Sequence, residues 1–199
     1  MKKTNYILPI LIVIGISFGF QTTNPHSPCA VAGDNANPKF QHLDSLKNRS
    51  VISDKINSSI TFDAIMATGD DTKRWSVNDC ADITAYVYDV KWGGQESCEC
   101  GDATKSQLDI HIELVKDLKN AGGTKRMVVE INRFFRASDK SLDYDVVKLL
   151  KGKKVEVKGY IFEDIEHKQN ALNTSPQGTN LWRATIIELH PVFYIKEIK

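Results

Sequence analysis

The stretch LDIHIELV, residues 108–115, decides the fold. Its apolar and polar residues alternate, because the even positions carry Leu or Ile while positions 109, 111 and 113 carry Asp, His and Glu. Since successive side chains of a β-strand point to opposite faces, this period of two predicts a strand with one apolar face. The same alternation places Asp109 and His111 together on the opposite, polar face.

Four further runs, rich in β-branched and aromatic residues, lie on either side of this stretch and predict four more strands. They cover residues 81–92, 126–132, 153–162 and 183–198. Charge in this part of the chain is nearly balanced, so the runs read as the strands of a packed domain and not as a charged tail.

One helix is predicted between the third and fourth strands, because apolar residues recur there at i, i+4, i+7 and i+8. Ser141 would cap its first turn and Gly152 would end it. Its apolar stripe consists of Leu142, Val146, Leu149 and Leu150. The order β-β-β-α-β-β predicts an all-β domain with one helix, a five-stranded OB-fold-like Greek-key barrel. Another small β-barrel with a helical insertion is the alternative.

The chain divides into three parts. Residues 1–20 carry Lys2 and Lys3 near the start, followed by an uncharged, apolar run over 6–20, which is the layout of a secretory signal segment. That run is short for a membrane span of about 20 residues, so cleaved export is the first expectation and an uncleaved N-terminal anchor the second. Residues 21–76 are expected to form a polar spacer with short ordered fragments, and residues 77–199 the barrel domain. We therefore expect a periplasmic, extracellular or membrane-anchored protein.

Charge and the N-terminal segment limit which partners are expected for this protein. The 26 Lys and Arg residues are balanced by 25 Asp and Glu residues, giving a net charge of +1. Nucleic acid is therefore a possible partner that the charge does not support, because a phosphate backbone is followed by a basic groove. A membrane is expected as a partner only through the N-terminal segment, and only if that segment is uncleaved. The ligand expected for the domain is unknown.

Five short islands resemble a largely uncharacterised group of exported bacterial OB-fold-like domains. They are LDIHIELV at 108–115, VVEI at 128–131, GYIFEDIEH at 159–167, WRAT at 182–185 and ELHPV at 188–192. Their D-x-H, D-x-x-H and E-L-H-P-V patterns carry the resemblance, which covers most of the domain. The resemblance implies an OB-type barrel and marks positions in it, but it supplies no reaction.

Each histidine of the domain has a carboxylate close by in the sequence. Imidazole nitrogens with carboxylate oxygens suit a divalent metal such as zinc or manganese, and a histidine tuned by a carboxylate suits general acid–base hydrolysis. An arginine beside them could neutralise an anionic group such as phosphate. The candidate ligand-binding or metal-binding residues are Asp109, His111, Glu130, Asp164, His167, Arg183, Glu188 and His190. The sequence assigns no catalytic role to any of them.

Three functions remain open from the sequence. The first is binding of an unidentified ligand or divalent metal at this set, and the second is a metal-dependent hydrolase of the phosphodiesterase or nuclease type using the same residues. The third is a structural or envelope-interaction module, in which the carboxylate–histidine pairs only brace strands and loops. If one of the first two holds, His111, His167 and His190 should approach one another around one mouth of the barrel.

The cysteines raise a separate question, with Cys80, Cys98 and Cys100 as the disulfide candidates. In an exported protein we expect Cys80 to pair with Cys98 or Cys100, because a bridge between the latter two would close a strained ring. The remaining cysteine would be left for Cys29, if that residue is retained. A zinc site built from these cysteines and a histidine is the alternative, although the spacing fits no standard zinc pattern.

Overall fold

The computed structural model describes residues 29–199, so the expected signal segment lies outside the described residues. Five strands form a closed barrel, joined by short helices and loops. The strands are β1 Cys80–Trp92, β2 Ile110–Val115, β3 Met127–Ile131, β4 Lys154–Glu163 and β5 Ile187–Glu197. The prediction of a mostly β, five-stranded barrel is therefore confirmed.

The strands follow one another around the barrel in the order β1-β2-β3-β5-β4, and β4 pairs back with β1. β3 and β5 run parallel, whereas the other neighbours are antiparallel. β5 begins at Ile187 and not at Arg183, where the sequence predicted its start. The backbone of residues 183 and 184 pairs with other segments instead of with the strands beside β5. Arg183 forms an isolated bridge with Ala171, and the Ala184 amide donates to the Arg126 carbonyl.

The barrel interior is filled by the apolar residues of each alternating strand. In β2 these are Ile110, Ile112 and Leu114, each fully buried in the hydrophobic core. The opposite face of β2 is covered as well, since Glu113 is also buried. Other parts of the protein therefore cover the polar outer face of β2. In a sheet with one solvent-exposed side, this face would be in contact with water.

The connection from β3 to β4 is not the single helix predicted. It consists of α3 Arg133–Ser138, a 3₁₀ turn, α4 Tyr144–Val147 and a second 3₁₀ turn. Asp143 breaks the predicted helix, because its backbone is extended (φ −68°, ψ 150°) between the 3₁₀ turn Lys140–Leu142 and α4. The predicted apolar stripe is consequently split: Leu142 is buried, whereas Val146 and Leu149 are 46% and 70% exposed.

The described part of the expected spacer packs against the barrel. It contains α1 Pro38–Lys47 and α2 Phe62–Met66. Ile60, Phe62 and Ile65 are buried in the same hydrophobic core as the strands. α1 instead buries polar side chains, Asp44 and Lys47. Residues 29–76 therefore supply both core packing and polar groups to the domain.

The structure contradicts the expected disulfide between Cys80 and either Cys98 or Cys100. Cys29 and Cys100 form the disulfide, while Cys80 and Cys98 are buried free thiols. Cys80 opens β1 with its side chain in the hydrophobic core, which keeps it from the loop that carries Cys98 and Cys100. Because Cys100 is oxidised, a zinc site that uses all three candidate cysteines is not formed. A disulfide is typical of proteins that fold in an oxidising compartment outside the cytoplasm.

Among residues 29–199, no helix is long and apolar enough to cross a membrane.

Candidate functional site

Strand register places three of the candidate residues side by side on the barrel wall. His111 of β2 lies opposite Glu130 of β3. β3 and β5 run parallel with Val129 opposite Leu189, so the next residues, Glu130 and His190, are also neighbours. The apolar partners of these strands fill the interior, so the row lies on the outer wall of the barrel. It does not lie at the barrel mouth, where the sequence placed it.

Glu130 connects the two histidines of this row. Its Oε1 lies 2.7 Å from Nδ1 of His111, and its Oε2 lies 3.4 Å from Nδ1 of His190. The other ring nitrogen of His190, Nε2, lies 2.9 Å from Oδ2 of Asp109. His190 is fully buried and both carboxylates are nearly so. An imidazole thus lies between two carboxylates that have little contact with water.

Arg183 joins the remaining candidates to this row. Its Nη1 lies 2.8 Å from both Oδ2 of Asp164 and Oε1 of Glu188. Asp164 also binds Nδ1 of His167 at 2.6 Å, and Oε2 of Glu188 lies 3.7 Å from Nδ1 of His190. All eight candidate residues therefore belong to one continuous network of charged side chains.

The partners within this network differ from those that sequence proximity indicated. Asp164 does bind His167, but Asp109 contacts His190 and not His111. Asp109 precedes the first residue of β2, so the strand alternation that would hold it beside His111 does not extend to it. His111 instead pairs with Glu130, its cross-strand neighbour, through Nδ1.

Both central histidines are held in the protonated form. Burial works against protonation of His111, but the carboxylates of Glu113 and Glu130 outweigh it and raise its pKa to about 9. Burial likewise opposes the charge on His190, yet Asp109 and Glu188 raise its pKa to about 10. At neutral pH, in the absence of a metal, both rings are therefore imidazolium ions.

The carboxylates respond to burial in different ways. Burial alone would raise the pKa of Glu130, but the two imidazolium ions prevail and lower it to about 2. For Asp109 and Glu188, burial prevails and raises the pKa despite their cationic partners. The site is thus rich in buried negative charge that only nearby cations compensate.

A cleft of about 660 Å³ opens beside the network. Its walls come from α1, the end of β1, the β1–β2 loop, β2, β3, the long β4–β5 loop and the start of β5. Lys47 of α1 is buried there in a salt bridge with Glu96 of the β1–β2 loop. Six of the eight candidates line the cleft: His111, Glu130, Asp164, His167, Arg183 and Glu188. Asp109 and His190 lie behind this wall.

Several residues in the cleft or beside it were not identified as site candidates from the sequence. Trp182 lies between His111 and His167, with ring centroids 6.2 Å and 5.7 Å from theirs. Its position in the WRAT island was a usable signal. Lys47 carried no signal, because it lies in the segment expected to be a spacer. Glu113 was visible only as one polar position of β2, although it binds Arg126 and Lys91 and lies 3.7 Å from His111.

Within residues 29–199, two buried groups of side chains have the composition and spacing of metal ligands. In the first, one potential ligand atom each from Asp109, Glu130 and His190 lies within 4.8 Å of the others. Cys98, Glu99 and Asp109 form the second under the same criterion. Burial, followed by the charge on Asp109, raises the pKa of Glu99 to about 8. These buried acidic and histidine groups could hold a metal ion.

No protein-family model, no curated protein and no solved structure matches this chain.

Proposed function

We propose that this chain is an exported, OB-fold-like barrel that binds a divalent cation, zinc or manganese, at Asp109, Glu130 and His190. The observation that carries the proposal is the approach of these three ligand atoms to within 4.8 Å of one another in a buried place. An imidazole nitrogen and two carboxylate oxygens form a ligand set used by both metals. Export and membership of the exported OB-fold-like group are parts of the same proposal.

The surroundings of the three residues favour a cation. Nδ1 of His190 is buried without a hydrogen-bond partner among the described residues, although Oε2 of Glu130 lies 3.4 Å away. Carboxylate partners also orient the histidines that bind metals in proteins, and Glu188, which is outside the ligand set, lies 3.7 Å from Nδ1 of this ring. A divalent cation in place of the His190 proton would add positive charge where buried carboxylates need it.

The position of the cleft supports the OB-fold assignment. OB-folds bind ligands on the face of strands 2 and 3, between the loop joining strands 1 and 2 and the loop joining strands 4 and 5. The cleft is lined by the corresponding elements, with His111 on β2, Glu130 on β3, Gln95 on the β1–β2 loop and His167 on the β4–β5 loop. The closed strand order β1-β2-β3-β5-β4 agrees with this assignment.

Metal binding is tested on the chain after treatment with a chelator. Titration calorimetry with Zn²⁺ and Mn²⁺ should show binding by the wild type. Glu130→Gln should weaken it by more than about a hundredfold, since changes even to residues behind the ligands cost about 10- to 100-fold. Asp109→Asn gives an independent test of the same ligand set.

The matched control is Glu156→Gln, which neutralises a carboxylate on the barrel surface that is salt-bridged to Lys158. It should bind metal like the wild type, and circular dichroism should show that all variants are folded. Equal affinity of wild type, Glu130→Gln and Asp109→Asn would contradict the proposal. Absence of any metal binding by the folded wild type would favour the structural or envelope-interaction module instead.

A metal-dependent hydrolase of the phosphodiesterase or nuclease type is the second candidate. It is favoured by Glu130, which belongs to the metal set and also lines the cleft, so a bound ion would lie next to space for a substrate. A metal ion there would act as a Lewis acid on a phosphoryl oxygen. Hydrolysis of bis(p-nitrophenyl) phosphate by the Mn²⁺-loaded wild type, and its loss in Glu130→Gln, would establish this activity. No turnover by the metal-loaded protein would leave cation binding alone.

A further inference from the structure

Three nitrogen-bearing side chains of the cleft share one arrangement. Each has one nitrogen anchored on a carboxylate and another nitrogen without a hydrogen-bond partner among the described residues. His111 is anchored through Nδ1 on Glu130, and its Nε2 makes no hydrogen bond with the described residues, although Oε1 of Glu113 lies 3.7 Å from it. Arg183 is anchored through Nη1, and its Nη2 is unpartnered. His167 is anchored through Nδ1 on Asp164 and makes no hydrogen bond through Nε2.

Arg183 gives this arrangement its strongest indication of a ligand. Its side chain is 1% exposed and lines the cleft, and Nε is occupied by the Thr185 carbonyl at 2.6 Å. A buried donor without an acceptor costs about 1–3 kcal/mol, and native proteins contain few of them. An acceptor oxygen bound in the cleft would remove that cost.

The three side chains that carry these donors all lie close to one aromatic ring, that of Trp182. The rings of His111 and His167 flank Trp182, and the Arg183 guanidinium carbon lies 5.2 Å from the Trp182 ring centroid. The donors therefore come from the strand β2 and from two separate parts of the β4–β5 loop, which meet at the indole. Donors in such an arrangement suit a tetrahedral oxyanion better than a planar carboxylate, which pairs best with a single planar fork.

We propose that this cleft binds the phosphoryl group of a small phosphorylated ligand through His111, His167 and Arg183, with Trp182 packing against the organic part. Glu96, Glu130, Asp164, Glu166 and Glu188 also line the cleft. Recognition therefore depends on the direction of the free N–H groups and not on an excess of positive charge. The site does not require the metal of the proposed function. A cation at Asp109, Glu130 and His190 would strengthen phosphate binding, and phosphate would strengthen cation binding by the same factor.

The proposal is tested with inorganic phosphate and the chelator-treated full-length chain, using titration calorimetry. His167→Gln is the lead variant, because this ring is half-buried and its loss leaves the strands intact. We expect it to weaken phosphate binding by about tenfold or more, as the loss of a charge-assisted hydrogen bond does. Arg183→Lys keeps the charge but removes the second guanidinium nitrogen, and it should weaken binding at least as much.

The matched control is His42→Gln, an exposed histidine of α1 that does not line the cleft. It should bind phosphate like the wild type. If Arg183→Lys does not fold, His167→Gln decides the test. Equal affinity of the wild type and His167→Gln, or no phosphate binding by the folded wild type, would overturn the proposal. Phosphate binding without Zn²⁺ or Mn²⁺ binding would refute the proposed function and leave this site standing, and the reverse result would refute this site alone.

Discussion

Replacing Glu130 by Gln tests the electrostatic account of the site. Glu130 is 7% exposed and lies between two imidazolium ions, so Glu130→Gln keeps the shape of the side chain and removes the charge that both ions need. The pKa of Glu130 is lowered from 4.5 to about 2, which corresponds to about 3 kcal/mol of folding free energy near neutral pH. Removal of one partner of a buried ion pair costs about 3–5 kcal/mol, which agrees with that figure.

The pKa of His111 determines how the difference in unfolding free energy between the wild type and Glu130→Gln changes with pH. Its pKa is raised from 6.5 to about 9, so its pairing stabilises the fold fully below pH 6.5 and loses this effect as the pH rises towards 9. Glu130→Gln should therefore be less stable than the wild type by about 3 kcal/mol at pH 6.5. The difference between the two proteins should shrink as the pH rises to 9.

Urea denaturation of both proteins at pH 6.5 and pH 9, in the presence of a chelator, measures this difference. The control Glu156→Gln breaks a salt bridge on the barrel surface and should change the unfolding free energy by less than about 1 kcal/mol. A loss below about 1 kcal/mol for Glu130→Gln, or a difference from wild type that is the same at both pH values, would refute the reasoning.

The remaining predictions concern the N-terminal segment and the cysteines. Ile65→Ala should lower the unfolding free energy by about 2–5 kcal/mol in urea denaturation, because Ile65 is fully buried in the barrel core; an unchanged midpoint would mean that this segment does not pack there. Thiol counting on the denatured, unreduced protein should find two free thiols, those of Cys80 and Cys98, and a count of four would exclude the Cys29–Cys100 bridge. Mass spectrometry of the native protein should show a chain that lacks residues 1–20 but retains Cys29, whereas an intact N-terminus would argue against cleaved export.

The barrel could be predicted because its strands carry a local signal. Residues 108–115 alternate so regularly that both the strand and its apolar face follow from the sequence. The connection from β3 to β4 was misjudged because the extended backbone of Asp143 interrupts the helical spacing of Leu142 and Val146. The hydrophobic period alone does not show at which residue the backbone will leave the helical conformation.

The candidate site was predicted as a set of residues but not as a geometry. The carboxylate and histidine pairs drew attention to the right strands, yet the contact between Asp109 and His190 depends on the closure of the barrel. Lys47 could not be identified as a site residue for the same reason, because its salt bridge with Glu96 joins parts of the chain that are distant in sequence. Such contacts depend on tertiary packing, which short-range patterns do not encode.

Anomalous X-ray diffraction from crystals of the chelator-treated chain, reloaded with Zn²⁺ or Mn²⁺, tests the central claim most directly. Data collected on both sides of the absorption edge of the metal locate the ion without reference to any assumed ligand. The account predicts one peak in contact with Asp109, Glu130 and His190. A peak bound only by other residues, or no peak in crystals that contain the metal, would contradict it.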